Sequence, residues 1–158
     1  MYATTYAKAK DVADAVSQLK GADEGKLLAG GQTLIPTLKQ RLASSDCLID
    51  LGDAGLSGIS DEGGSIRIGA MTRHVEVETS KLVKKAIPAL AALASGIGDR
   101  QVRNCGTIGG SVANNDPSAC YPSALLALGA TVHTDKREIA AGDYFTGMFE
   151  TALDEDEV

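Results

Sequence analysis

Arg103 to Pro117 reads RNCGTIGGSVANNDP. This stretch holds Gly106, Gly109 and Gly110, hydroxyls at Thr107 and Ser111, amides at Asn104, Asn114 and Asn115, and one acid at Asp116. Only Ile108, Val112 and Ala113 offer apolar side chains, so most of the segment is not composed for burial. Neighbouring glycines let a backbone approach another molecule and turn its N–H groups outward, because no Cβ intervenes. Consecutive outward N–H groups form a concavity for anions, and a flanking hydroxyl on each side adds donors. The chemistry implied is one wall of a phosphate-bearing cofactor site.

A smaller version occurs at Lys26 to Ile35, reading KLLAGGQTLI. The apolar run Leu27, Leu28, Ala29 precedes Gly30 and Gly31, then Gln32 and Thr33, then a helical pattern. Strand, glycine turn and helix start together present free N–H groups to a phosphate. No Gly-Lys-Ser/Thr follows, so this is not a P-loop, and the GxGxxG dinucleotide fingerprint is absent as well. A lone Gly-Gly after a strand is usually only a tight turn. Two such turns in one small chain argue for a shared ligand.

The remainder of the sequence narrows the function classes. With 158 residues and 44% hydrophobic content the chain can bury a core, as one domain or two small lobes. Its net charge is −6, from 21 acids against 15 bases with no basic block, which argues against nucleic acid as a main partner. No apolar run approaches the roughly 20 residues of a membrane span, and no signal-peptide pattern opens the chain. Cys47, Cys105 and Cys120 include no Cys-x-x-Cys pair, so neither a disulfide framework nor a zinc site is supported. Three thiols are too few for an all-cysteine iron–sulfur cluster. A reduced, cytoplasmic protein is expected, with His74 and His133 in ordinary structural or surface roles.

Taken in order, Tyr2 to Ala9 predicts a strand, and Asp11 caps a helix over Val12 to Leu19, stopped at Gly21. Leu27 to Ala29 predicts a second strand. Thr33 is placed as the cap of a helix carrying Leu34, Leu38 and Leu42, with Pro36 harmless in its first turn. Leu48 to Leu51 predicts a third strand, giving a β-α-β-α-β unit with its ligand loop before the second helix. Ile59 and Ile66 to Ile68 suggest an antiparallel hairpin. Thr72 is a candidate cap for the next helix. Val83 to Ser95 reads as helix that becomes regular near Pro88 and ends at Gly96 and Gly98. Ser123 to Leu128 predicts a helix closed by Gly129; Ala130 to Thr134 and Arg137 to Ile139 predict a hairpin. Tyr144, Phe145, Met148 and Phe149 are assigned to core packing.

Together, AGGQTLIP, LIDL, IGAMT and IGDRQVRNCGTIGGSVANNDP resemble the FAD-binding medium subunits of the molybdenum hydroxylases. That group includes the carbon monoxide dehydrogenase medium chain, the flavin domain of xanthine dehydrogenase, and relatives acting on aldehydes and N-heterocycles. The resemblance runs over nearly the whole chain. It implies an α+β, two-lobed FAD-binding fold of the vanillyl-alcohol-oxidase (PCMH) type. A small β-α-β lobe, residues 1–55, would face a larger lobe of mixed or antiparallel sheet, residues 56–158, with FAD extended between them.

Carried over by position, the resemblance assigns Ala29, Gly30, Gly31, Gln32 and Thr33 to FAD at the pyrophosphate. Thr107, Ile108, Gly109, Gly110 and Ser111 become the second contact loop. Ile97 falls against the isoalloxazine, and Asp116 and Cys120 line the ribityl and adjacent part of the cofactor. No catalytic acid, base or metal site is implied in this chain. Cys120 stands where the family commonly has an acid, and Ser111 where it often has Asp or Asn. Family members also continue into a C-terminal domain absent from these residues. The implied role is a flavoprotein oxidoreductase subunit, inactive alone. It would pass electrons from [2Fe-2S] clusters on a small iron–sulfur subunit to an external acceptor, with the molybdenum cofactor on a large subunit. Two other readings fit the residues: a flavin-free assembly module or truncated remnant, and a free-standing FAD oxidoreductase.

Overall fold

A computed structural model describes all residues from Met1 to Val158. The chain begins with β1 (Thr5–Lys8), α1 (Val12–Gly21), β2 (Gly25–Leu28), α2 (Leu34–Lys39) and β3 (Cys47–Asp50). Asp11 caps α1 as expected, its carboxylate accepting from Asp14 N–H at 2.8 Å. Gly21 is the last residue of α1 and not its stop, the cap falling on Ala22. The three strands pair in parallel in the order β1-β3-β2, so the strand latest in sequence is central. Parallel pairing requires a crossover at each step, which α1 and the α2 segment provide. Ala9, Ala15, Ile49, Leu51 and Ala54 are buried behind the sheet, with Leu56, Met71 and Val158 packed against them.

Next come β4 (Ile59–Asp61) and β5 (Ile66–Ile68), the expected antiparallel hairpin. Three helices follow, α3 (His74–Thr79), α4 (Lys81–Ala86) and α5 (Pro88–Ser95). The apolar run expected as one helix is thus two, broken at Ile87. Proline disfavours the helical conformation of the residue before it, and Pro88 holds Ile87 at φ −137°, ψ 66°. Thr72 caps nothing. It is fully buried, and its hydroxyl accepts from Gly58 N–H at 2.9 Å and donates to Gly58 C=O at 3.1 Å.

The RNCGTIGGSVANNDP stretch is not an open loop. It forms α6 (Arg100–Cys105), a bend at Gly106, and α7 (Ile108–Asn114) capped by the Thr107 hydroxyl. Ile108 and Val112 are buried and Ala113 is exposed. The chain continues through α8 (Cys120–Ala127), β6 (Thr131–His133), β7 (Glu138–Ala140), α9 (Ala141–Tyr144), β8 (Phe145–Gly147) and β9 (Glu150–Thr151). All pairing after residue 55 is antiparallel, in three two-stranded ladders and not one broad sheet. A second core gathers Val77, Val83, Leu90, Ala91, Ala94, Ile108, Val112, Tyr121, Ile139 and Tyr144. The aromatic group divides: Tyr144 is buried and Phe145 packs on this core, while Met148 and Phe149 are exposed at the β8–β9 turn. No helix is long and apolar enough to cross a membrane.

Candidate functional site

The two glycine turns meet. A methyl group added at Gly30 would lie 2.7 Å from Gly106 Cα and 2.8 Å from the Cys105 carbonyl carbon, and nearer still to the carbonyl oxygen. One added at Gly110 would lie 3.3 Å from Ala29 Cβ. The β2–α2 turn is therefore pressed against the α6–α7 bend, and only glycine permits that spacing at position 30. Gly31 has φ +69°, a left-handed conformation that a branched side chain resists.

Beside this contact the β2–α2 turn carries an uninterrupted row of free donors. The backbone N–H groups of Ala29, Gly30, Gly31, Gln32, Thr33 and Leu34 have no acceptor within the chain, and the intrahelical ladder starts only with Ile35 N–H to Gly31 C=O at 3.2 Å. The first N–H groups of a helix have no intrahelical partners, and here the row is exposed at Gln32 and Thr33 and half-buried at its other four positions, so it is open to an outside acceptor. Gln32 folds its amide back onto Gly30 C=O at 3.2 Å, which fixes the turn. Thr33 sits at the cap position of α2, but its side chain caps nothing and its hydroxyl is left unused.

The α7 turn differs from its sequence-based expectation. Its N–H groups do not point outward. Ile108 N–H donates to Thr72 C=O at 3.0 Å, Gly109 N–H to Ala70 C=O at 2.8 Å, and Ser111 N–H to Thr107 C=O at 3.1 Å. Gly110 N–H is taken by the Thr107 hydroxyl at 3.1 Å. Gly109 serves this strapping: a methyl there would stand 2.7 Å from Ala70 Cα. The IGAMT segment is thus the strap that holds the second turn, and the glycines of that turn admit protein backbone. What the turn keeps free is the half-buried Ser111 hydroxyl, which has no partner in the chain, while Gly110 is packed against Ala29 and the Thr107 hydroxyl.

The other expected positions are dispersed around this junction. Ile97 is half-buried against the second core. The Asp116 carboxylate is engaged locally, accepting from Ser118 N–H at 2.8 Å and Ser118 O–H at 2.6 Å, bonds that hold its pKa below the usual carboxylate range. Cys120 is exposed at the first position of α8. Two residues not expected at the site support it from behind. His74 is buried, its backbone N–H donating to Gly106 C=O at 2.9 Å, and burial pushes its pKa down, favouring the neutral ring. Tyr121 is fully buried beside it, ring centroids 5.4 Å apart, and burial raises its pKa. The signal for both was absent from local sequence, because the contacts span more than thirty residues.

A parallel β-α-β unit that offers a row of free N–H donors at its seam with a second core suits a phosphate-bearing ligand. The family model described as "FAD binding domain in molybdopterin dehydrogenase" matches residues 2–158. The chain belongs to that family, and it is an FAD-binding domain. It is 37% identical over 161 residues to the nicotine 6-hydroxylase medium subunit of Paenarthrobacter nicotinovorans, spanning 99% of this chain and 57% of that one. It is 40% identical over 159 residues to the carbon monoxide dehydrogenase medium chain of Afipia carboxidovorans, spanning 97% of this chain and 55% of the relative. The chain therefore spans about half the length of these relatives. Among solved structures, carbon monoxide dehydrogenase from Hydrogenophaga pseudoflava superposes with a TM-score of 0.97 at 38% identity, over 99% of this chain and 57% of the other. Quinoline 2-oxidoreductase from Pseudomonas putida 86 gives 0.96 at 33% identity, over 99% and 57%. The fold is the α+β FAD-binding fold of those chains.

Proposed function

We propose that the chain is the nucleotide-gripping part of the FAD-binding subunit of a molybdenum-containing hydroxylase or dehydrogenase. The observation that carries this is the row of six free N–H groups set against a second turn, in a chain whose family binds FAD. Ala29, Gly30, Gly31, Gln32 and Thr33 hold the diphosphate through main-chain N–H groups, and Thr33 adds its free hydroxyl. Thr107, Ile108, Gly109, Gly110 and Ser111 form the facing wall, where the Ser111 hydroxyl is the group left to donate. Ile97 meets the ring, and Asp116 and Cys120 lie farther along the cofactor. Residues 1–55 and 56–158 act as the two subdomains of the grip.

Bound FAD supplies the redox chemistry, accepting electrons and delivering them to an external acceptor. This chain's residues supply binding, orientation and a neutral surrounding; none of them is required to move a proton on an organic substrate. In this reading the organic substrate is oxidised on a large molybdenum-binding subunit, and a small subunit with [2Fe-2S] clusters hands the electrons on. The subunit is consequently inactive alone. Three free thiols and no disulfide suit a cytoplasmic location.

The test is the purified protein's flavin content. A yellow protein releasing one FAD per chain on denaturation, and co-purifying with molybdenum- and iron-containing chains, agrees with the proposal. A colourless protein that refuses added FAD contradicts it, and a yellow one that oxidises a small substrate without partners replaces it with a free-standing oxidoreductase.

A further inference from the structure

Helix α3 stands behind the Cys105–Gly106 bend and holds α6 at two points one turn apart. Residues four apart on a helix share a face, and here His74 and Glu78 both address α6. The His74 N–H donates to Gly106 C=O at 2.9 Å, and its ring closes on Gly106 so tightly that a methyl there would lie 2.6 Å from Nε2. Glu78 Oε2 pairs with Arg103 Nε at 3.0 Å. The same guanidinium donates through Nη1 to the carbonyls of Ile97 and Gly98, each at 3.1 Å. Arg103 thus joins α3, the α5–α6 turn and α6 itself. The Arg103 side chain is 14% exposed and that of Glu78 28%, so the pair is shielded enough to keep one geometry, unlike a surface ion pair.

The far end of α6 is the part that touches Gly30. Close-packed contacts pass a displacement on instead of absorbing it, so a shift of α6 reaches the turn that aims the free N–H row. We propose that Arg103, Glu78 and His74 are positioning residues for the cofactor site. Through α6 they fix where the Cys105–Gly106 bend stands against Gly30, and hence the aim of the Ala29–Leu34 donors. The inference rests on reading that row as the diphosphate cradle.

Arg103→Lys tests it, because an ammonium keeps the charge but cannot span a carboxylate and two carbonyls as the fork does. The full-length chain with whatever partners it retains is titrated with FAD and with ADP, which share the diphosphate, well below the melting temperature. Both dissociation constants should rise together by about tenfold, the scale of loss when a supporting shell is removed from a ligand site. If Arg103→Lys does not fold, Glu78→Gln, which leaves the guanidinium on its carbonyls, carries the same test with a smaller parallel loss for both ligands. A lowered melting temperature with unchanged affinities would overturn the proposal and leave the clamp purely structural. Wild-type protein that binds neither FAD nor ADP would instead overturn the cradle itself.

Discussion

The contact at Gly30 makes the sharpest prediction. In Gly30→Ala the new methyl would stand 2.7 Å from Gly106 Cα, 0.7 Å inside the 3.4 Å at which ordinary contact begins, and still closer to the Cys105 carbonyl oxygen. The obstacle is backbone, not a side chain that can rotate away. The β2–α2 turn and the α6–α7 bend must therefore separate by more than half an ångström. Overpacking of that size costs about 1–3 kcal/mol of stability. A ligand row has to be held to about 0.5 Å to work, so FAD affinity should fall further, roughly 10- to 100-fold. Urea unfolding and flavin-fluorescence titration on the same preparation measure the two losses. Gly142→Ala is the control, since nothing lies within 4 Å of a methyl there and the position is helical. FAD affinity that stays unchanged while stability drops would refute the link between this contact and the ligand. A Gly30→Ala protein with wild-type stability would refute the contact.

Other outcomes follow from single features. Cys120→Asp should tighten FAD by about two- to tenfold, the net worth of one hydrogen bond, if position 120 faces the cofactor; at the start of α8 a carboxylate also suits the helix dipole, so stability should not fall. Unchanged or weaker FAD retention would show that the position is not at the flavin. Asn115→Ala should destabilise by about 1–3 kcal/mol in urea, because the buried amide donates to Gly147 and Glu150 carbonyls at 2.8 Å and the residue sits at φ +43°. Equal stability would mean that the β8–β9 turn is not held from α7. Glu157, its side chain fully shielded, is bonded by Arg137 at 2.8 Å, which pushes its pKa down to about 2 from the usual 4.5. A depressed carboxyl contributes stability that is present above pH 4.5 and lost as pH falls towards 2, so wild type should weaken through that window and Glu157→Gln should lose much of the dependence. Parallel acid unfolding curves for the two proteins would contradict it.

Much of the scaffold was legible because its signals are local. Asp11 ahead of an apolar helical pattern gives α1, Pro88 marks where the regular helix α5 begins, and Ile59 with Ile66 and Ile68 gives the β4–β5 hairpin. The FAD-binding character was legible in the same way, from the order and wording of the glycine segments. The division of labour between the two turns was not. Both read as outward-facing N–H rows, yet the Ala70 and Thr72 carbonyls take up the Gly109 and Ile108 donors, from more than thirty residues away in sequence, and Thr107 takes up those of Gly110 and Ser111. Likewise, α6 and α7 contain three glycines between them and their bend, so helix propensity argues against them; long-range strapping overrides it. Met148 and Phe149 look like core residues by composition. Asn115 holds the turn that carries them, its carbonyl accepting from Phe149 N–H at 3.1 Å, and leaves both exposed.

Amide hydrogen exchange, followed residue by residue with and without FAD, reaches the central claim most directly. Ala29 to Leu34 should exchange fast in the free protein, since nothing in the chain accepts from them, and slow sharply when FAD or ADP is added. Protection that builds elsewhere while these six amides go on exchanging unchanged would contradict the account.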